Sequence, residues 1–249
     1  MKAFIIGDIN NPISTVAMRR LVNSIKATES KIDYQIFPAT VPDTISEAEE
    51  KLFTYPEGNE RLRWGWPEPS DGPRRSVITG LVCKPYAAKD QNKVKACFFS
   101  HVRLWKYAFT YNETIMVLEH DALFTNKFDW DNIKDKFTGG ILGLNSPKGA
   151  TRKADVFHNE IIKVAQTQKG RFVTDAPWVD KDRAIPQGLA GNSAYIIKPK
   201  AANVLLTAIM SKTGFWPNDA IMCKQLYPHL QVVYPYFTKV QGIQSTTTS

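Results

Sequence analysis

Apolar residues along this chain form short continuous runs that alternate with segments of helical period. The run 2–7 predicts a first strand, and apolar residues at helical spacing predict a helix over 15–26. Ser14 or Thr15 is the predicted N-cap of that helix. Residues 32–38 predict a second strand, and a strand, a helix and a strand of this length indicate a right-handed parallel crossover.

The run 114–124 carries the strongest indication of chemistry. Residues 114–118 are apolar or β-branched, which is typical of a strand buried on both faces of a parallel sheet. The run then continues with Glu119, His120 and Asp121. Ligands of open α/β sheets bind at the carboxyl ends of strands, so two carboxylates around an imidazole predict a functional site there. A capping role for an acid before a helix would explain Asp121 alone.

Further periodic segments extend this alternation through the chain. They predict helices over 46–52, 93–111, 201–210 and 220–226, and strands over 139–145 and 231–235. Residues 188–197 predict a further strand that is approached through small residues. Asp219 precedes the last helix, where an N-cap is expected. Residues 148–183 show no assignable pattern. The whole chain, 1–249, is predicted to be one α/β domain with a mostly parallel central sheet, followed by a mobile tail from about 244.

Residues 54–76 interrupt the alternation with prolines, glycines, tryptophans and arginines, which predicts a loop excursion. Disordered segments are poor in aromatic residues, so the tryptophans argue for an ordered loop. Long ordered loops often serve as lids or binding loops. We therefore predict either a lid or a loop that binds an acceptor substrate, with five candidate contact residues: Arg63, Trp64, Trp66, Arg74 and Arg75.

Composition narrows the class of protein. The chain is 43% hydrophobic and 22% charged, with no apolar run long enough to span a bilayer. Its N-terminus resembles a strand rather than a signal peptide, so we expect a cytoplasmic protein, peripheral at most to the inner membrane surface. Cys83, Cys97 and Cys223 form no CxxC pair and are predicted to be free, buried thiols. The net charge of +8 favours an anionic partner.

Four segments together resemble glycosyltransferase family 25, which includes lipooligosaccharide and collagen galactosyltransferases. They are Arg19 with Arg20, residues 96–105 (ACFFSHVRLW) followed by 117–122 (VLEHDA), residues 191–202 (GNSAYIIKPKAA), and residues 217–219 (PND). They span most of the chain in the family's order. The resemblance implies a GT-A fold, an α/β/α sandwich, and a glycosyltransferase whose acidic triplet holds a divalent metal on the diphosphate of a nucleotide-sugar.

The resemblance makes Asp121 the main ligand of Mg²⁺ or Mn²⁺, with Glu119 acting through water or on the ribose of a donor, expected to be a UDP-sugar. Hard cations of this kind take one or two carboxylates and fill their other positions with phosphate oxygens and water. The family's triplet is usually Glu-Asp-Asp, so His120 is a departure. His120 is either a ligand, which would favour Mn²⁺ over Mg²⁺, or a bystander.

Roles for other residues follow from the same resemblance. Asp219 would be the general base that accepts the proton of the acceptor hydroxyl in an inverting reaction. Arg20 would face the nucleotide or its phosphates, and Asn192 and Ser193 would line the donor sugar or the acceptor. His101 lies within the motif, and its role is open between helix packing and support of the triplet.

Three functions are consistent with these residues. The first is transfer of a sugar to a saccharide of the lipopolysaccharide type or to a lipid-linked glycan. The second is transfer to a hydroxymethylated base in DNA, with the loop arginines and tryptophans contacting the strand together with Lys148, Arg152 and Lys153. The third is an inactive module that only binds a nucleotide-sugar, since a fold does not guarantee activity.

Overall fold

The structure is a computed structural model, and it describes residues 1–55, 61–148 and 153–243. Arg152 and the predicted tail from about 244 lie outside the described residues. So do residues 56–60 of the predicted loop excursion.

Eleven strands and six α-helices are assigned within these described ranges. The strands are β1 (Lys2–Gly7), β2 (Asp33–Pro38), β3 (Arg74–Arg75), β4 (Val82–Cys83), β5 (Ile115–Glu119), β6 (Ala122–Phe124), β7 (Ile141–Gly143), β8 (Phe172–Asp175), β9 (Ala194–Ile197), β10 (Leu230–Tyr234) and β11 (Thr238–Val240). The helices are α1 (Pro12–Ala27), α2 (Ile45–Leu52), α3 (Gln91–Thr110), α4 (Ala154–Ala165), α5 (Pro199–Ala208) and α6 (Asn218–Ile221).

Seven strands form the central sheet in the order β2-β1-β5-β9-β7-β10-β8. β1 pairs in parallel with β2 and β5, and β7 pairs in parallel with β10. β9 lies antiparallel between β5 and β7, and β8 is antiparallel to β10 at one edge. Five of the seven strands therefore run in one direction, which confirms the predicted α/β class with a mostly parallel sheet.

Helices cover both faces of the sheet. Successive side chains of a strand point to opposite faces, so each strand contributes to two cores. Phe4 and Ile6 of β1 join a core with helices α2, α3, α4 and α5. Ala3 and Ile5 join the opposite core with Leu21 and its neighbours on α1. This is the α/β/α sandwich that the resemblance implied.

The run 114–124 forms two strands separated by a corner. β5 ends at Glu119, and β6 begins at Ala122 and leaves the central sheet to pair antiparallel with β11. His120 and Asp121 form the corner between them. Because a strand follows Asp121, the capping explanation for this residue is wrong.

Two predicted caps differ from the structure. Helix α1 begins earlier than predicted, because the Asn11 side chain accepts from the Ile13 and Ser14 N–H groups and Pro12 occupies the first turn. Ser14 and Thr15 are therefore not the N-cap. Helix α6 is much shorter than the predicted 220–226, and Pro217 precedes it without a side-chain cap. Asp219 lies inside this helix, so its predicted capping role is also wrong.

The pattern-free segment 148–183 contains α4 and the edge strand β8 within its described part. All three cysteines are free as predicted, with Cys83 and Cys223 buried and Cys97 partly exposed. Among the described residues, no helix combines the length and the apolar character needed to cross a membrane.

Ser24 ties helix α1 to the strand that follows the acidic corner. Its buried hydroxyl donates to the Leu21 carbonyl at 2.7 Å and accepts from the Phe124 N–H at 3.0 Å. Ser24→Ala leaves the Phe124 N–H without this acceptor, so we expect unfolding to become easier by about 1–2 kcal/mol. Urea unfolding followed by circular dichroism measures this loss.

Ser211→Ala is the matched control, because the exposed Ser211 hydroxyl makes one bond, to Thr207 O at 2.7 Å, within its own helical segment. The free energy of unfolding of Ser211→Ala should stay within roughly 0.5 kcal/mol of that of the native chain. Equal losses of unfolding free energy in the two variants would show that the hydrogen bond between α1 and β6 does not stabilise the fold.

Candidate active site

A cavity of about 170 Å³ opens at the carboxyl ends of β1, β2 and β5. Asp8 follows β1, Thr40 follows β2, and Glu119 ends β5, so parallel pairing brings these three residues to one edge of the sheet. His120 and Asp121 line the same cavity. The predicted position of the site, at the end of the 114–118 strand, therefore coincides with a cavity.

Helix α3 forms one wall of this cavity with Cys97, Ser100 and His101. The Ser100 hydroxyl donates to the Ala96 carbonyl at 3.0 Å and accepts from the Thr40 N–H at 2.8 Å. This bond fixes the segment after β2 against the helix. Cys97 and His101 are four residues apart, so they project from the same face of α3.

Glu119 meets the cavity with 28% of its side chain exposed, and its Oε1 atom lies 3.2 Å from His101 Nε2. Burial is the largest single effect and acts to raise the pKa of Glu119, but the hydrogen bond from His101 and the charges of His101 and His120 together outweigh it, so the net shift is downward. Glu119 is therefore a carboxylate at neutral pH.

Asp121 behaves in the opposite way. Burial, assisted by the charge of Glu119, raises the pKa of Asp121 to about 7, while a hydrogen bond from Ser193 opposes the rise. Its Oδ1 atom is buried and has no hydrogen-bond partner among the described residues. An unpaired buried oxygen of this kind fits a proton or a cation.

Burial also lowers the pKa of His120, against the charges of Glu119 and Asp8, so the imidazole is neutral at pH 7. Neutral imidazole is the form that binds metals. In the described ranges, the set of three residues whose ligand atoms lie within 4.8 Å of one another is Cys97, His101 and Glu119. The predicted set of Glu119, His120 and Asp121 does not converge to this degree, and its role as a metal site stays a prediction.

Asp219 lies on α6 beside Asn218, whose Oδ1 atom is 3.7 Å from Cys97 Sγ. Its carboxylate accepts a short hydrogen bond from the Tyr86 hydroxyl, and burial raises the pKa of Asp219 against this bond. Burial and the charges of Glu119, Asp219 and Asp121 together raise the pKa of the Cys97 thiol. The three predicted carboxylates therefore act electrostatically on one thiol, although Asp219 is absent from the cavity lining.

Ser193 and Asn192 come from the segment that enters β9. The Ser193 carbonyl accepts the Glu119 N–H at 2.7 Å, which holds this segment beside the acidic corner. Both polar atoms of the Asn192 side chain are buried without a hydrogen-bond partner in the described part of the chain. The structure thus places both predicted residues near Asp121 and leaves the Asn192 amide available to a ligand.

Arg20 lies on the exposed face of α1 and is absent from the cavity lining. Its contact with a nucleotide stays a prediction.

Two of the five predicted acceptor residues are partly or wholly inside the protein. Trp66 is 6% exposed, donates to Lys84 O at 2.8 Å and packs edge-on against Trp216. Trp64 is half-buried against Phe98. The prediction that Trp66 offers an exposed ring on which bases stack is therefore wrong. Arg63, Arg74 and Arg75 are exposed, and their acceptor contacts stay predictions.

Sequence reasoning missed Tyr86, Tyr195 and Asp8. Asp8 directly follows the first strand, so the strand-end argument used for Glu119 applies to it as well. Tyr86 lies in a stretch without periodicity, and Tyr195 lies in a buried strand whose pattern gives no sign of a polar partner. Both tyrosines act through contacts that are distant in sequence.

The sequence profile described as "Glycosyltransferase family 25 (LPS biosynthesis protein)" matches residues 13–222. Comparison with curated proteins gives no significant match. Similar solved structures include galactosyltransferase LgtC in complex with donor and acceptor sugar analogues, at 11% identity and a TM-score of 0.40 over 93% of this chain and 73% of that one. Mouse xyloside xylosyltransferase 1 in its apo form gives 11% identity and a TM-score of 0.40 over 92% and 83%.

The raised pKa of Asp121 makes the stability of the protein depend on pH. The folded protein holds a proton on Asp121 between about pH 4 and pH 7 that the unfolded chain has lost, so stability falls as pH rises through this window. In metal-free buffer, Asp121→Asn should be more stable than the native chain at pH 8 by on the order of 1–2 kcal/mol, and equal to it at pH 4.

Urea unfolding at the two pH values measures this difference. Asp135→Asn, at an exposed position, is the control and should change stability little at either pH. A gain for Asp121→Asn that is the same at pH 4 and pH 8 would contradict the assignment.

Proposed function

The chain belongs to glycosyltransferase family 25, and from this premise we propose that it transfers a sugar from a nucleotide-diphosphate sugar, a UDP-sugar, to a hydroxyl group of a glycan. The observation that carries the proposal is the position of Glu119 and Asp121 in one cavity at the carboxyl end of β5. Asp219 does not line this cavity, but its charge acts on Cys97, which does. Membership of the family makes the protein a glycosyltransferase. Donor, metal, stereochemistry and acceptor are the proposed parts.

The acidic corner fits a divalent cation, because the buried Oδ1 of Asp121 has no hydrogen-bond partner in the described ranges. We assign Asp121 and Glu119 as its carboxylate ligands, with His120 as the neutral imidazole that would favour Mn²⁺ over Mg²⁺. When bound, such an ion neutralises the negative charge that develops on the departing diphosphate.

Asp219 is the proposed general base. Its raised pKa brings it nearer to the pH at which a base works best, while the Tyr86 hydroxyl holds one carboxylate oxygen in place. The acceptor oxygen attacks the anomeric carbon as the bond to the diphosphate breaks, and the acceptor proton moves to Asp219. Attack from the face opposite the leaving group inverts the anomeric configuration.

Asn192 and Ser193 are the proposed contacts of the donor sugar. The unpaired amide of Asn192 offers one acceptor and two donors, which suits sugar hydroxyl groups.

A DNA acceptor has less support. That hypothesis required exposed tryptophan rings, and Trp66 is buried. Lys153, one of the expected phosphate contacts, forms an ion pair with Asp180 at 2.5 Å. A saccharide is therefore the acceptor we propose.

A short hairpin with an apolar tip supports a location at the membrane surface. β3 and β4 pair antiparallel, and at their tip Val77 and Ile78 are 99% and 71% exposed. Arg74 and Arg75 are exposed at its base. Apolar side chains beside cations match the boundary between anionic headgroups and acyl chains. We propose that this 74–83 hairpin docks on anionic lipid and presents the site to a lipid-linked glycan.

Nucleotide release from a panel of nucleotide-sugars, with Mn²⁺, Mg²⁺ or a chelator, tests the function. We expect metal-dependent turnover of one donor by the native chain. Asp219→Asn should lower kcat for transfer by about 10²–10⁴-fold because the base is lost, while binding of the donor persists. Asp121→Ala should lose the response to metal.

Asp135→Asn, at an exposed position, serves again as the control with native activity. Failure of the folded native chain to turn over any donor, combined with tight binding of one, would favour the inactive binding module.

Docking of the 74–83 hairpin is tested by co-sedimentation with vesicles of phosphatidylglycerol and phosphatidylethanolamine. Replacing both Val77 and Ile78 with Asp should weaken binding by about tenfold or more, because two apolar side chains no longer enter the lipid. The matched control is Val156→Asp, at a 45% exposed position on α4. Equal binding by all three proteins would exclude the hairpin as the docking element.

A further inference from the structure

We propose that Trp105, Tyr195 and His101 form a hydrogen-bond relay that fixes the orientation of the Glu119 carboxylate, which makes His101 and Tyr195 positioning residues. The claim about catalysis rests on the proposed function, whereas the relay itself is a property of the folded protein. It assigns His101 a role that the sequence left open.

Three contacts connect the four side chains. Trp105 Nε1 lies 2.8 Å from Tyr195 Oη, Tyr195 Oη lies 2.8 Å from His101 Nδ1, and His101 Nε2 lies 3.2 Å from Glu119 Oε1. Trp105, Tyr195 and His101 are each 0% exposed. The relay therefore starts in the dry core and ends at the wall of the cavity.

The chemistry of the groups sets the direction of the relay. An indole N–H can only donate, so Tyr195 Oη accepts from Trp105. In the proposed relay the hydroxyl proton of Tyr195 is donated to His101 Nδ1. A neutral imidazole that accepts at Nδ1 carries its proton at Nε2, and Nε2 donates it to Glu119 Oε1. In this arrangement each buried polar group of the relay has a partner.

The fold makes the relay rigid. His101 and Trp105 are four residues apart on α3, whereas Tyr195 projects from β9, where it is opposite Val117 of β5. The rings of His101 and Tyr195 stack at 5.7 Å with 18° between their planes. The relay thereby joins α3, β9 and β5 through packed side chains that cannot change rotamer independently.

The relay affects how Glu119 is presented to a ligand. Oε1 is engaged by His101 at 3.2 Å, and Glu119 itself lines the cavity with 28% of its side chain exposed. A ligand that enters the cavity thus meets a carboxylate whose orientation is already set. Pre-set geometry of this kind lowers the reorganisation needed during reaction.

The first test is ¹⁵N NMR of the imidazole groups in the metal-free native protein. The chain has four histidines, so the His101 signals are assigned by their loss in His101→Gln. We expect the Nε2–H tautomer, with Nδ1 unprotonated. Finding the Nδ1–H tautomer would overturn the relay, whatever the activity of the protein.

The second test removes the middle of the relay. Tyr195→Phe deletes the hydroxyl that donates to Nδ1, so the His101 nitrogen shifts should change. Tyr236→Phe is the matched control, because the Tyr236 hydroxyl lies 3.1 Å from His158 Nδ1 outside the relay. This control should change the His158 shifts and leave His101 unaltered, and the reverse result would overturn the assignment.

The kinetic test uses the donor that the native chain turns over. Tyr195→Phe should lower kcat by about 10–100-fold, the range seen when partners of a ligating group are removed, with the KM for acceptor nearly unchanged. Unchanged kcat in a folded Tyr195→Phe protein would overturn the positioning role. Absence of turnover by the native chain would instead count against the proposed function, while the NMR result would still decide the relay.

Discussion

Desolvation of carboxylates at the end of β5 is the physical constraint on which the site depends. Glu119 and Asp121 are separated by one residue and lose solvent together, yet the pKa of the first falls and that of the second rises to about 7. His101 supplies a hydrogen bond to Glu119, whereas Asp121 faces the charge of Glu119 with one unpaired oxygen. The environment thus makes Glu119 a carboxylate at neutral pH, whereas Asp121 is still partly protonated near pH 7.

β9 is the element that makes this division possible. It runs antiparallel between β5 and β7, so the residues before its first position lie where its neighbours end. Ser193 therefore reaches the Glu119 N–H, and Asn192 brings an unpaired amide to the same edge. One residue inside the strand, Tyr195 connects the core to His101. A wholly parallel sheet would place these groups at the opposite edge.

Trp66 of the 54–76 segment packs beside Tyr86, the partner of Asp219, instead of offering its ring to solvent. Trp66 packs against Trp216 and Tyr86, and Tyr86 donates to Asp219. Tryptophans in a proline-rich segment indicated order, which the structure shows for the described part. They gave no indication of which side of the loop would be buried. The arginines of the hairpin stay exposed, so the two residue types of one segment serve opposite surfaces.

Local pattern determined the main helices and strands, the open edge of the sheet and the position of the acidic triplet. It could do so because period and strand ends depend on neighbouring residues. Tertiary structure alone decided that Asn11 caps α1, that α6 has one turn, and that Trp66 is buried. It also decided the partners of Asp219 and His101, which lie 133 and 94 residues away in Tyr86 and Tyr195. Contacts over such separations leave no periodic trace in a single sequence, and the shifted pKa values of the carboxylates depend on them.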